Sequence, residues 1–206
     1  MSRSLTHRRR LLSVVAALSI LSFAPSAAAT VATDFSFANA STNSLDFSEI
    51  TMAAGTSITN QYAPGFGVSF SPNVWFEDNR TGLGWTDNIA NFMSGTSTSN
   101  PVVEIAFSVS VTAAAFEIAA NNNTSFLLEA VDSGAVIESF VFTDTACCAA
   151  HVVGFQDSSF DTLRITYQSG ARDFFIADNL AWNAVPEPST ATLLALGLIG
   201  LARRRK

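Results

Sequence analysis

Between residues 30 and 184 apolar and polar positions alternate with a period of two, and no stretch settles into the spacing of a helix. Val103, Ile105 and Phe107 are separated by Glu104 and Ala106, Phe116 and Ile118 flank Glu117, and Leu163, Ile165 and Tyr167 alternate with Arg164 and Thr166. Successive side chains of a strand point to opposite faces, so these segments predict half-buried antiparallel sheet. Further strands are expected over residues 31–37, 67–71, 74–77, 125–131, 137–143, 152–155 and 174–182. Turn formers separate them at Asn121-Asn122-Asn123, Asp132-Ser133-Gly134, Asp157-Ser158-Ser159 and Ser169-Gly170. The polar stretch 86–100 predicts a long loop. Many short strands at close spacing predict an all-β antiparallel sandwich of jelly-roll type, and no repeat supports a propeller or solenoid.

The two ends of the chain follow other rules. Arg3, Arg8, Arg9 and Arg10 precede an apolar run at 11–23 and an A-x-A site at Ala27-Ala28-Ala29. That is the layout of a signal peptide, cut by signal peptidase before Thr30. The general secretory route is expected, although the arginines also approximate a twin-arginine signal. At the other end Val185-Pro186-Glu187-Pro188 leads into an apolar run and then Arg203-Arg204-Arg205-Lys206. Fourteen residues, 189–202, make a helix of roughly 21 Å, short of the ~30 Å hydrocarbon core. Transient insertion into the inner membrane is expected, with the arginines on the cytoplasmic side and the prolines held extended at the outer surface.

This order resembles the PEP-CTERM sorting signal, which implies processing by an exosortase and delivery to the cell surface. The expected division is therefore a signal peptide at 1–29, a sandwich at 30–182 and a sorting signal at 183–206.

Setting the ends aside changes the charge picture. Residues 30–184 hold three arginines, Arg80, Arg164 and Arg172, against sixteen carboxylates, a balance of −13. Such a body repels phosphate backbones, so nucleic acid is excluded as a partner. Acidity serves solubility or divalent-cation binding. Sixteen of the seventeen phenylalanines lie in this body and supply a core for one domain. Cys147 and Cys148 are adjacent, and a disulfide between neighbours would be strained. A vicinal bridge and a reduced or intermolecular pair both stay open.

The body is also similar to PEP-CTERM proteins with lectin-like or carbohydrate-module-like sandwiches. Leu45-Asp46-Phe47, residues 55–62 and Gly67-Val68-Ser69-Phe70 resemble their opening strands. Val153-Gly154-Phe155, residues 160–165 and residues 175–180 resemble the closing ones.

Three constellations carry candidate chemistry. Asp178 shares the parity of Ile176, Leu180 and Trp182, so an uninterrupted strand turns it into the core. There it needs a salt bridge from Arg164 or Arg172, capping by backbone amides, or a structural Ca²⁺ shared with Asp46 or Glu49. Trp75, Glu77 and Asp78, with Trp85 and Asp87, combine aromatic faces with carboxylates, the equipment for holding sugars. Glu104 and Glu117, placed on neighbouring strands, are the carboxylate pair that a glycoside hydrolase would use. His151 is the only histidine after the leader, no G-x-S-x-G elbow is present, and the P-loop lysine is missing. The expectation is a non-catalytic surface or extracellular-matrix protein that associates with exopolysaccharide in a biofilm. A secreted polysaccharide hydrolase is the alternative.

Overall fold

The computed structural model describes residues 29–72, 74–77, 89–91, 102–120, 123–145, 149–170 and 175–185. Along these residues the elements run β1 (Thr30–Ala32), β2 (Asn43–Leu45), α1 (Ala63–Phe66), β3 (Val68–Phe70), β4 (Trp75–Glu77) and β5 (Ile89–Asn91). They continue with β6 (Val102–Ala120), β7 (Thr124–Asp132), β8 (Ala135–Asp144), β9 (His151–Ser169) and β10 (Phe175–Ala184).

All strand pairs are antiparallel. Two strands of nineteen residues, β6 and β9, organise the rest. Their first shared register ends at Ala106 opposite Thr162, and their second begins at Val111 opposite Phe160. The extra residues let both strands bend together, as bulges do at sandwich corners. One side of the bend carries β8-β7-β9-β6-β3, and the other carries β1-β9-β6-β10 with β2 and β5 on the outer edge of β10 and β4 beyond β5. A single hydrogen-bonded sheet thus folds over to make both layers of an antiparallel β-sandwich.

The alternating apolar positions meet between the layers. Phe107, Val111, Phe155, Phe160 and Trp182 are buried at the bend, and the Phe140 ring of β8 meets Phe155 of β9 at 5.3 Å. A second aromatic group joins Phe47, Tyr62 and Phe70, with Phe47 and Tyr62 edge-on at 5.7 Å. Fully burying each such ring contributes about 1.5–3 kcal/mol.

The structure departs from the sequence expectation in local ways. The first strand stops at Ala32 instead of residue 37, because residues 33–42 leave the ladder and cross the sheet. The expected loop at 86–100 contains β5, and the pieces expected at 103–107 and 116–118 are one bent strand. The turn α1 starts with proline near its N-terminus and ends on Gly67 in the left-handed region at φ 69°, which suits glycine. Strand β10 continues two residues past the expected boundary at 182. Among the described residues no helix is long and apolar enough to cross a membrane. The apolar runs at 11–23 and 189–202, on which the membrane expectation falls, lie outside them.

Candidate functional site

The outer face of the layer containing β10 carries a row of small residues. Ser44, Ala181, Ala115, Gly154 and Ala32 follow one another across β2, β10, β6, β9 and β1. Ala115 and Ala32 are almost fully buried although they point away from the main core. What covers this face is the strap of residues 33–42, which leaves β1 at one edge and enters β2 at the other. Asn183 of β10 ties it down: its Nδ2 donates to the Phe37 carbonyl at 3.0 Å, and its Oδ1 accepts from the Thr42 hydroxyl at 2.7 Å. Where the strap meets β2 and β10 a groove of about 470 Å³ opens, lined by Phe35, Ala38, Thr42, Ser44, Leu45, Asp46, Glu49, Asn179 and Ala181.

The acidic wall of the groove is built by a tight local turn. Phe47 sits at φ 66°, and Asp46 Oδ1 accepts from the Ser48 hydroxyl at 2.5 Å and from the Ser48 N–H at 2.9 Å. Both bonds favour the charged form, so the Asp46 carboxyl is held below its ordinary range, the hydroxyl bond being the larger cause. Glu49 Oε1 closes the turn by accepting the Asp46 N–H at 3.0 Å. Behind the turn the buried Tyr62 hydroxyl donates to the Phe47 carbonyl at 3.0 Å. Burial, and then the charges of Glu49 and Asp46, push the Tyr62 phenol well above its usual range.

Asp178 is buried, at 3% exposure, but it does not sit on the face its parity suggests. Ala177 pairs with Ile118 and Asp178 with Glu117, then the register slips so that Ala181 pairs with Ala115. The extra residue is Asn179, at φ 50°. Residues opposite one another in an antiparallel ladder share a face, so Asp178 lies with Glu117 on the outer side while Leu180 and Trp182 face the core. Asn179 bridges the two acids: its N–H donates to Asp178 Oδ1 at 2.7 Å and its Nδ2 donates to Glu117 Oε2 at 2.8 Å. The structure therefore brings Asp46, Glu49 and Asn179 to one groove with Asp178 beside it. Among the described residues no three carboxylate, imidazole or thiolate side chains converge to hold a metal ion.

The other expected sites separate. Glu104 and Glu117 are not on neighbouring strands; both lie on β6, on opposite sides of its bend. Glu104 Oε1 is 2.8 Å from Arg164 Nε, and Arg164 Nη1 is 3.6 Å from Glu129. Arg164 therefore serves Glu104 and Glu129 across three strands of the other layer, where it is no partner for Asp178. Trp75 is half-buried on β4, in one row with Asn91, Ile176 and Ala119, while its neighbour Phe76 is in the core. The side chain of Glu77, together with Asp78, Trp85, Asp87, Arg172, Cys147 and Cys148, lies outside the described residues, as do Ala27 and Pro186, Glu187, Pro188 and Arg203 to Arg205. Ala29 is buried, and Thr30, the expected first residue after signal cleavage, begins β1.

Sequence reasoning passed over Asp144, which is fully buried. Its Oδ2 accepts the Ala120 N–H at 2.9 Å, and its carbonyl accepts the Asn123 N–H at 2.7 Å, fastening the β6–β7 connection. His151 Nε2 stands 3.6 Å from Asp144 Oδ1, beyond hydrogen-bond distance.

Residues 184–206 match the family model described as the PEP-CTERM protein-sorting motif, so the chain carries an export and sorting signal that starts on the last residue of β10. No curated protein matches the chain in sequence. Among solved structures the chain is similar to the module TmCBM61 in complex with β-1,4-galactotriose, at 11% identity and a TM-score of 0.44, covering 63% of this chain and 99% of that one. It is also similar to the family 11 carbohydrate-binding module of the cellulosomal cellulase Lic26A-Cel5E of Clostridium thermocellum, at 15% identity and a TM-score of 0.40, covering 72% and 97%. A third similarity is to the catalytic domain of a GH87 α-1,3-glucanase in complex with nigerose, at 16% identity and a TM-score of 0.37, covering 74% of this chain and 30% of that one.

Proposed function

We propose that this is an exosortase-processed protein of the cell surface or extracellular matrix whose sandwich associates with exopolysaccharide and performs no catalysis. The observation that carries the reading is the sorting motif, which begins at residue 184 where the last strand ends. The transpeptidase-like step would then leave the whole sandwich outside the cell as its product.

The strap groove supports a saccharide ligand. Its volume suits one or two sugar rings, the half-buried Phe35 offers an aromatic face, and Thr42, Ser44, Asp46, Glu49 and Asn179 offer hydroxyl, carboxylate and amide partners for sugar hydroxyls. Trp75 lies farther along the same outer face and extends the surface toward the end of the sandwich away from Val185. Asp46 and Glu49 are the groove carboxylates from which a structural Ca²⁺ would draw, each with one oxygen already accepting a hydrogen bond within the turn.

Binding of the purified domain to soluble polysaccharides, measured by affinity electrophoresis, tests the reading. Phe35→Ala and Asp46→Asn should each weaken retardation at least tenfold with the melting temperature within a few degrees of the parent. Release of reducing sugar from a retarded polysaccharide would replace binding with hydrolysis.

A further inference from the structure

The ladder register sets the two ends of the domain side by side. Asn183 pairs with Ala113, Ala113 with Gln156, and Gln156 with Thr30, so one row of four strands joins the end of β10 to the start of β1. Three strand spacings put them roughly 14 Å apart. Strand β1 runs away from this row and β10 runs into it, so residues before 30 and after 185 leave at the same end of the sandwich. It is the end at which β6 and β9 bend. The spacer there is short: the Val185 N–H donates to the Ser110 carbonyl at 2.8 Å, and only Pro186-Glu187-Pro188 precede the apolar run at 189–202.

Exposed aliphatic side chains gather at this end. Val31 follows Thr30, Val109 lies in the bend of β6, and Val136 pairs with Val131 next to the bend of β9, with Ile137 beside it; all four are exposed. The two other large exposed aliphatics among the described residues, Val102 and Val141, lie in a row with Thr166 and Leu127 farther from the bend. The segments nearest Val185, residues 108–112, 66–70 and 42–45, carry no charge in a body of net −13. Among the described residues the acidic groups placed at this end lie by β9 and the β7–β8 turn, on the side of Val31, Val136 and Ile137, which leaves Val109 as the exposed aliphatic on the uncharged side. Asp157 accepts from the Thr30 hydroxyl at 2.6 Å, and Asp161 accepts from the Ser133 N–H at 2.9 Å and the Thr162 hydroxyl at 2.8 Å.

We infer that this end of the sandwich is a membrane-contact face in the unprocessed chain, seated on the lipid headgroup surface with Val109 nearest the bilayer. The inference rests on the sorting-motif reading and adds the surface by which the folded domain meets lipid. Uncharged hydroxyl and aliphatic groups can lie at the headgroup boundary, whereas the carboxylates elsewhere on the body keep it in water. Only Pro186-Glu187-Pro188, roughly 10 Å when extended, separates the domain from the apolar run at 189–202, which leaves it little slack to stand away from the surface. Processing removes the tether, and the few valines do not hold the free domain.

Depth-dependent fluorescence quenching tests this on the full chain with Cys147→Ser and Cys148→Ser, reconstituted in phosphatidylcholine vesicles that contain spin-labelled lipid. Single reporters are attached at Val109→Cys, Val102→Cys and, in the tail, Leu196→Cys. Strong quenching at 196, with quenching at 109 at least threefold greater than at 102, is the expected result. Quenching at 196 with equal values at 109 and 102 overturns the contact face and leaves the sorting reading standing. No quenching at 196 overturns both. Because the vesicles contain no other protein, contact that needs a protein partner gives the second outcome.

Discussion

Asp178 stands directly opposite Glu117 in the β10·β6 ladder, and Asn179 donates to both. Two carboxylates at facing positions repel, and the bridging amide offsets that repulsion by hydrogen-bonding to each. The bulge that places Asn179 between them also sets Asn179 in the lining of the groove, so local geometry and site share one residue.

Asp178→Asn keeps the size of the side chain but weakens its acceptance of the Asn179 N–H. It should destabilise the domain by about 1–3 kcal/mol, by the same amount in calcium and in chelator, because protein groups satisfy this carboxylate. Thermal melts of wild type and variant in both buffers check this. A calcium increment present in the wild type and absent in the variant would place an ion there instead.

Tyr62 titrates late because burial and the charges of Glu49 and Asp46 raise its folded pKa. Stabilisation from the neutral phenol is fully present below the ordinary tyrosine pKa and is lost as pH rises above it. Absorbance titration at 295 nm should show the Tyr62 phenolate forming together with unfolding, and Tyr62→Phe should remove that alkaline step. The same variant should cost about 1–3 kcal/mol at neutral pH by leaving the Phe47 carbonyl without its donor.

Asp46 has the opposite sign. Its folded pKa is lowered, so the stabilisation is present above the unfolded value and fades as pH falls through the folded one. In a carboxylate titration followed by NMR, Ser48→Ala should move Asp46 back up toward the ordinary range. The effect on stability should be small, since the group is exposed.

Gly154 sits in the small-residue row with no room for a methyl group. A Cβ there would run into the Ala114 carbonyl oxygen and the Ala115 Cα, backbone atoms of the adjacent strand. Gly154→Ala should therefore destabilise by several kcal/mol, read as a large fall in denaturant midpoint. Gly65→Ala, where a Cβ meets nothing within 4 Å, serves as the control.

Processing has a direct readout in mass. In a host with the matching exosortase, surface material should begin at Thr30 and lack Arg203 to Lys206, and replacing Glu187 should cause precursor to accumulate in the inner membrane. Surface material that keeps the basic cluster would contradict the sorting route.

The sorting motif was fully legible in sequence, because its order of prolines, apolar run and basic cluster is local. Fold class was legible too, since alternation at Val103, Ile105 and Phe107 or at Leu163, Ile165 and Tyr167 needs no knowledge of partners. Alternation failed at Asp178, where one inserted residue reverses the face of everything before it. Asn179 was the available clue, because asparagine is one of the few residues that tolerates positive φ. The strap was illegible for a different reason. Residues 31–37 alternate well enough to pass as one strand, and only the distant small residues Ala115, Gly154 and Ala181 reveal that something must lie across them.

Because β10 is hydrogen-bonded to β6 on one side and to β2 and β5 on the other, the last of the described strands in chain order is an interior one. The core cannot close until residues 175–184 have paired on both sides, so the domain is completed only by the strand that directly precedes the sorting motif. A domain truncated before β10 therefore lacks the strand that joins β6 to β2 and β5, so its loss should unfold the whole sandwich and not merely fray one edge, a consequence of strand order alone.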